Sequence, residues 1–129
     1  MPEPVVFISR NRVKVGRLKE LERFLRDGTE RLKREKPGTV AFLAYVSDDG
    51  TEATIVHVFP DADAMDRHME GVTERTEESA QFIESAGMEI YGQPNEATVQ
   101  MFKQIAESGV PVSFRPRHIG GYLRLAAGT

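Results

Sequence analysis

The sequence predicts an α+β fold of the split β-α-β type, with an antiparallel sheet covered on one face by helices. Two apolar runs, over residues 40–46 and 53–59, flank a polar loop that contains glycine, which is typical of a β-hairpin. Segments with apolar residues at helical spacing lie before and after this hairpin, and short β-forming runs open and close the unit. Both hairpin strands are apolar on both sides, so we expect both faces of the sheet to be covered.

Length and composition indicate an ordinary globular protein. With 129 residues, 40% hydrophobic and 29% charged, the chain suits a single domain over residues 1–129 with its own core. The absence of cysteine excludes disulfides and thiolate metal sites and fits a reducing cytoplasm. No apolar run approaches the roughly 20 residues of a membrane span, and the N-terminus lacks the features of a signal peptide. We therefore expect a cytoplasmic protein that does not bind a membrane.

The charges are unevenly distributed along the chain, although the net charge is only −3. Of the 17 Lys and Arg residues, 11 lie between Arg10 and Lys36, whereas the segment from Ser47 to Glu89 holds 12 acids and only two bases. Acids interleave with the bases of the first helix, and no aromatic-rich basic surface follows. This pattern favours a solvated helix face over a nucleic-acid site. We expect the opposite charges to meet within or between subunits.

The first half of the chain reads as strand, helix and hairpin. The β-forming run 4–9 is the first strand, and 11–16 is a connector. A helix follows over 17–35, with one apolar stripe formed by Leu18, Leu21, Phe24, Leu25 and Leu32. The sequence Lys36-Pro37-Gly38 ends this helix ahead of the hairpin.

The second half adds helices and short strands. Pro60 and Asp61 favour the start of a helix over 61–86 with a break at Gly71. A strand over 88–92 and a helix over 95–108 follow. Two further β-like pieces lie at 110–114 and 119–125, and prolines confine the first of them to a sheet edge.

The resulting order, β-α-β-β-α-β, predicts a ferredoxin-like core over about residues 4–92, followed by a C-terminal α-β extension over about 93–129. The helices cover one face of the antiparallel sheet. The second face would still carry large apolar side chains, from Phe7, Phe42 or Leu43, and Ile55 or Val56. Monomers do not tolerate so large an apolar patch, so we predict a homodimer formed by packing of two sheet faces.

Two stretches carry a resemblance to a known family. Residues 7–16 (FISRNRVKVG) and 58–69 (VFPDADAMDRHM) resemble the antibiotic biosynthesis monooxygenase (ABM) superfamily, over roughly residues 4–92. The resemblance implies a dimeric α+β barrel with a pocket between sheet and helices for a small apolar or aromatic ligand. It also implies oxygenation without a cofactor. Haem degradation is disfavoured because the chain has no Trp and because Glu78 stands where haem-degrading members place an axial His.

Three residues are candidate catalytic groups. Asn11 resembles an Asn that contacts substrate or oxygen in the family, although an Asn beside a strand more often satisfies turn backbone groups. His68 lies on the apolar stripe of the second helix, at a position where many relatives carry His, and its imidazole is either a proton acceptor or a hydrogen-bonded boundary residue. His57 interrupts an apolar strand and faces either a pocket or the dimer interface.

Tyr45 and Tyr91 are candidate substrate-binding residues, with core packing as the alternative. Arg115, Arg117 and His118 form a basic cluster that binds an anion or pairs with the acidic region 61–89 of a second subunit. Three scattered His residues without Cys predict no metal site. Two hypotheses follow: a cofactor-independent monooxygenase acting on a small aromatic or polyketide-like substrate, or a non-catalytic ABM-like dimer that binds a small molecule or has an accessory or regulatory role.

Overall fold

The computed structural model describes residues 3–125 and contains five strands and four helices. The strands are β1 (Val5–Val13), β2 (Ala41–Val46), β3 (Glu52–Phe59), β4 (Ile83–Tyr91) and β5 (Val112–Arg115). The helices are α1 (Leu18–Glu35), α2 (Ala62–Met69), α3 (Val72–Ser79) and α4 (Glu96–Glu107). None of the helices in this part of the chain is both long and apolar enough to cross a membrane.

The five strands form one sheet in the order β2-β3-β1-β4-β5. The first four strands pair antiparallel, in the order that the ferredoxin-like plan predicts. The fifth strand pairs with β4 in the parallel direction, so the sheet is mixed and not purely antiparallel. Helix α4 makes this possible, because a parallel neighbour requires a crossover connection long enough to return the chain to the same end of the sheet.

The prediction of a helix over 61–86 with a break at Gly71 was confirmed as far as Ser79 and was wrong over residues 80–86. Helix α3 ends at Ser79, and β4 begins at Ile83 where the sequence predicted a strand only from residue 88. The reason lies in the tertiary structure. Strand β1 continues to Val13 instead of ending at residue 9, and Val13 pairs with Ile83. A register shift between Arg10 and Asn11 marks a bulge in this pairing.

The sheet has two unlike faces. The face that packs on α2 and α4, called here the helix face, holds the core cluster Val5, Phe7, Phe59, Ala64, Met65, Ile90 and Phe102. Alternation along the strands points their other residues to the opposite, open face. Phe7 and its neighbour Phe42 belong to the helix face, so the prediction that Phe7 contributes to the second face was wrong. The open face instead carries Val6, Ile8, Leu43, Tyr45, Val56, Val58 and Tyr91.

The C-terminal extension is packed into this core as far as β5. The ring of Phe102 on α4 is fully buried and lies 5.0 Å from the ring of Phe7. Thr98 and Asn95 also donate hydrogen bonds to the carboxylate of Asp66 on α2, at 2.7 Å each. By contrast, no strand forms over 119–125, where the sequence predicted one, and its residues 119–125 are exposed.

Candidate histidine site

Two buried imidazoles meet on the helix face. The ring centroids of His57 and His68 lie 5.3 Å apart, with the rings edge to face. Aromatic rings surround the pair: Phe7 stacks on His57 at 4.6 Å, and Phe42 and Phe59 lie 6.0 and 5.2 Å from His68. Two of the three predicted catalytic candidates are therefore neighbours in an otherwise apolar layer.

His57 is placed by strand pairing. It lies opposite Phe7 in the β1–β3 register, and its Nδ1 makes a 2.9 Å hydrogen bond with the backbone oxygen of Phe7. A carbonyl only accepts, so Nδ1 carries the proton and Nε2 is the basic nitrogen of the neutral ring. His57 thus faces the space between sheet and helices, and not the open face.

His68 is placed by α2, the helix that Asp61 begins. The Asp61 carboxylate accepts a 2.8 Å hydrogen bond from the backbone N–H of Ala64, an N-cap that fixes the first turn. Seven residues later, His68 lies on the buried stripe with Ala64 and Met65 and is only 2% exposed. Its Nδ1 shares a 2.7 Å hydrogen bond with the hydroxyl of Thr39, which comes from the connector between α1 and β2.

Two cations lie beside His68 at the C-terminal end of α2. Arg75 donates hydrogen bonds to the backbone oxygens of His68 and Glu70, at 2.6 and 2.8 Å. Lys36 donates to the backbone oxygens of Arg67 and Glu70, at 2.7 and 3.1 Å. These contacts satisfy carbonyl groups that the last turn of a helix leaves without partners, and they place positive charge close to the imidazole.

Both imidazoles are neutral at working pH. Burial lowers the pKa of His57 to about 4, although the hydrogen bond to Phe7 favours the charged form. Burial also lowers the pKa of His68 to about 3, and the nearby His57, Arg75 and Lys36 add to this effect. A neutral imidazole has one donor and one acceptor nitrogen, so the pair can accept a proton or orient a polar group.

A groove leads from the surface to His68. Its volume is about 210 Å³, and it runs between the α1–β2 connector and α2, with Glu35, Lys36, Pro37, Gly38, Thr39, Ala64, Arg67, His68 and Glu70 along its walls. The rim is charged and the floor is imidazole and methyl groups. Of the five predicted site residues, only His68 lines this groove.

Asn11 lies inside β1 and not in a connector after it. Its side-chain amide donates to the hydroxyl of Ser9 at 3.1 Å, and to the backbone oxygens of Ala53 and Ser9 at 3.3 and 3.4 Å. It faces the helices beside the bulge, four residues beyond Phe7 along β1. Beside it, the buried hydroxyl of Ser85, its partner in β4, has no hydrogen-bond partner among residues 3–125.

Tyr45 and Tyr91 are not part of this site, because both lie on the open face. Tyr45 is 59% exposed near the outer edge of the sheet. Tyr91 donates a 2.5 Å hydrogen bond to Glu89, which also forms an ion pair with Arg10. This bond to Glu89 raises the pKa of the Tyr91 hydroxyl. The structure therefore separates the tyrosines from the histidines by the thickness of the sheet.

Sequence reasoning did not assign a site role to Thr39, Lys36 or Arg75. Lys36 was interpreted only as part of a helix end, and Thr39 follows the glycine of that end. One signal was present: Arg67 and Arg75 are the only bases between Ser47 and Glu89, in a segment with 12 acids. Both lie beside His68, Arg75 by hydrogen bonding and Arg67 by lining the groove.

Comparison with known proteins relates the fold to solved structures. Neither protein-family models nor curated proteins give a match. Among solved structures, SnoaB from Streptomyces nogalater, a cofactor-independent oxygenase, superposes with a TM-score of 0.60 at 20% identity, covering 72% of this chain and 95% of SnoaB. A protein from Nitrosomonas europaea that bears the name antibiotic biosynthesis monooxygenase gives 0.56 at 20% identity, covering 72% and 92%. The chain has the fold of the antibiotic biosynthesis monooxygenases.

A further solved structure matches this chain over nearly its whole length, including the C-terminal extension. MupZ from Pseudomonas fluorescens superposes with a TM-score of 0.72 at 17% identity, covering 95% of this chain and 91% of MupZ. SnoaB and the structure from Nitrosomonas europaea each cover a smaller share, 72% of this chain. The resemblance to the ABM family is thus confirmed at the level of the fold, and the extension also has a counterpart in a solved structure.

Proposed function

We propose that this ABM-like protein is a cofactor-independent monooxygenase that acts on a small aromatic or polyketide-like substrate. The observation that supports it is the contact of His57 with His68 within an aromatic shell, together with the groove of about 210 Å³ that His68 lines. The similarity to SnoaB supports the reaction class.

In this proposal His68 is the residue that meets the substrate. With Nδ1–H donating to Thr39, Nε2 of His68 accepts a proton from an activated methylene or phenol in the groove. Loss of this proton leaves the substrate as an anion. The negative charge beside the buried ring raises the pKa of the His68 imidazolium, so the ring holds the proton. His57 adjoins His68 and is held in one orientation by Phe7.

The substrate carbanion then reacts with O₂ directly. For a methylene carbon, one oxygen atom becomes the new carbonyl and the other leaves as water together with both hydrogens of the methylene. All the electrons that reduce O₂ come from the substrate. The protein contributes proton transfer and orientation of the substrate.

Oxygen uptake with a panel of anthrones and reduced polycyclic phenols tests this proposal, with the label of ¹⁸O₂ followed into the product and spontaneous oxidation subtracted. We expect His68→Ala to lower the rate about 10²-fold or more, in the range of a positioned acid–base group. His118→Gln is the matched control, because that imidazole is exposed and far along the chain from the groove. Full activity in His68→Ala, or no enzyme-dependent uptake with any compound in the panel, would contradict the proposal.

A second candidate function is a non-catalytic ABM-like dimer that binds a small molecule. It is favoured by the internal hydrogen bonds of His57, His68 and Asn11, each of which has a partner within the chain. The same panel of compounds distinguishes this candidate from the monooxygenase. Saturable binding measured by calorimetry, with no oxygen uptake, supports the non-catalytic dimer. The role would then be accessory or regulatory.

We also propose that the chain forms a homodimer through the open face, as the apolar sequence of the hairpin predicted. Leu43 is 45% exposed on that face, and Val6, Ile8, Val56 and Val58 are only partly covered. The same face also carries the ion pair between Arg10 and Glu89. An apolar patch of this kind on a sheet face marks an interaction surface.

A further inference from the structure

One hydrogen bond governs which nitrogen of His68 can act as a base. The Nδ1 atom of His68 and the Oγ1 atom of Thr39 lie 2.7 Å apart. Within residues 3–125 this is the hydrogen bond of the ring, and Nε2 has none. Because a hydroxyl can accept as well as donate, the contact by itself fits either neutral tautomer of the imidazole.

The cost of an unpaired donor distinguishes the two tautomers. His68 is only 2% exposed, so a proton on Nε2 would be an N–H group buried without an acceptor. With the proton on Nδ1, Thr39 accepts it, and the only unpaired group is the lone pair of Nε2. Among buried backbone groups, N–H groups without a partner are rarer than acceptors without one. The same preference in the side chain places the proton on Nδ1. The Thr39 hydroxyl lines the groove, where solvent can accept its own proton.

The backbone holds the Thr39 hydroxyl in place. The N–H of Thr39 donates to the backbone oxygen of Lys36 at 3.1 Å, and the N–H of Val40 donates to that of Val58 on β3 at 2.9 Å. The ammonium group of Lys36 also donates to two backbone oxygens in the last turn of α2, at 2.7 and 3.1 Å. The connector is therefore attached both to the sheet and to α2, which keeps the hydroxyl opposite the imidazole.

His57 has a different kind of partner. Its Nδ1 lies 2.9 Å from the backbone oxygen of Phe7, which can only accept, so its tautomer does not depend on any side chain. His57 also does not line the groove. A change at Thr39 should therefore alter His68 and leave His57 as an internal reference.

We propose that Thr39 is a positioning residue that keeps the proton of neutral His68 on Nδ1 and leaves Nε2 as the basic nitrogen. The effect on turnover rests on the proposed function, whereas the tautomer itself rests on the hydrogen bond alone. A ligand that suits an unpaired acceptor nitrogen presents a donor to it, such as a phenolic O–H or an acidic C–H.

Nitrogen NMR of the protein labelled with ¹⁵N-histidine tests the tautomer without a substrate, because protonated and unprotonated ring nitrogens differ widely in chemical shift. We expect His68, assigned by the loss of its signals in His68→Gln, to carry its proton on Nδ1 at pH 7. Thr39→Val removes the acceptor. The ratio of the Nε2–H form to the Nδ1–H form should then rise about fivefold, as expected for the loss of one hydrogen bond of ordinary strength.

Two further variants complete this experiment. Thr39→Ser keeps a hydroxyl and should keep the wild-type tautomer. Thr51→Val is the matched control, because Thr51 lies in the β2–β3 loop and does not line the groove. A wild-type proton on Nε2, or an unchanged ratio in Thr39→Val, would overturn the proposal.

Oxygen uptake separates this proposal from the monooxygenase activity. For a compound of the panel that is turned over, Thr39→Val should lower kcat about tenfold with little change in KM, and Thr39→Ser should restore most of it. Turnover that is unchanged in Thr39→Val would overturn the positioning role and leave the monooxygenase intact. A tautomer shift in Thr39→Val, with no uptake from any compound, would support the tautomer assignment and overturn the monooxygenase.

Discussion

At the scale of single residues, the centre of this protein is a pair of histidines in a layer of aromatic rings. His57 was conspicuous in the sequence as the one imidazole in an apolar strand, and a polar residue there requires a partner. The structure supplies the backbone oxygen of Phe7 as that partner and His68 as a neighbour. The pairing of the two imidazoles was beyond sequence reasoning, because it depends on how α2 lies across β3.

Acid should destabilise the fold through these two imidazoles. In the folded state their pKa values are lowered to about 4 and about 3, whereas an unfolded chain binds protons at a pKa near 6.5. Their contribution to stability is therefore complete above about pH 6.5 and is lost as the pH falls towards 4. We expect the free energy of unfolding to fall by up to about 1.4 kcal/mol per pH unit for each imidazole in that range.

Urea unfolding between pH 7 and pH 4.5 measures this slope. The two imidazoles together cause part of this slope. His57→Gln and His68→Gln should each remove about half of that part, because each ring takes up its own proton when the chain unfolds. A wild-type slope that survives in both buried variants would show that carboxylates, and not these histidines, control acid unfolding.

At the scale of the secondary-structure elements, the sequence predicted which elements exist better than where they end. The N-terminal signal at Asp61 and the helix end at Lys36-Pro37-Gly38 were both confirmed, because caps are local chemistry. The boundary between α3 and β4 was missed because Phe82, Ile83 and Ala86 suit a helix stripe as well as a strand. Pairing with the far end of β1 selected the strand.

The N-cap of α2 offers a prediction at this scale. Asp61→Ala removes the acceptor for the Ala64 N–H and should lower stability by about 1 kcal/mol, whereas Asp61→Asn keeps an acceptor and should cost much less. Thermal unfolding of the two variants at pH 7 compares them directly. Equal losses in both would mean that the charge of Asp61, and not its hydrogen bond, supports the helix.

The end of β4 offers a second prediction. Gly92 has a φ of +96°, and a Cβ there would lie 2.6 Å from the backbone oxygen of Pro4. Gly16 has a φ of +78°, and a Cβ there would have no atom within 4 Å. Gly16→Ala should therefore cost about 1 kcal/mol of conformational strain, and Gly92→Ala should cost clearly more because backbone must also move. Chemical denaturation of both variants checks the order, and a Gly16→Ala loss as large as that of Gly92→Ala would contradict it.

At the scale of the whole molecule, the two faces of the sheet have different roles. The helix face encloses the histidine pair, and the open face carries an apolar surface that includes Leu43 and Tyr45. The tyrosines that were expected near the histidines lie on the open face. Their position suits contact with a second subunit, so the proposed site and the proposed dimer interface use opposite sides of the same strands.

A charge placed on the open face should dissociate the dimer. Leu43→Glu puts two like charges near an apolar interface in a two-fold assembly, and we expect the dissociation constant to rise at least about tenfold. Analytical ultracentrifugation at micromolar concentration measures it. Val15→Glu is the matched control, because Val15 is fully exposed in the connector after β1. Unchanged association in Leu43→Glu would place the interface elsewhere.

The sequence by itself determined the elements of the core, their order and the ABM-like fold, because apolar periodicity, caps and turn residues act locally. It also indicated His57 and His68 as candidate site residues, since each is a titratable group on an apolar face. Only the tertiary structure decided that these two meet, that Tyr45 and Tyr91 lie on the other side of the sheet, and that β4 begins at Ile83. Those outcomes depend on strand register, where a shift of one residue reverses the face of every side chain. Strands that are apolar on both sides lack the alternation that would specify it.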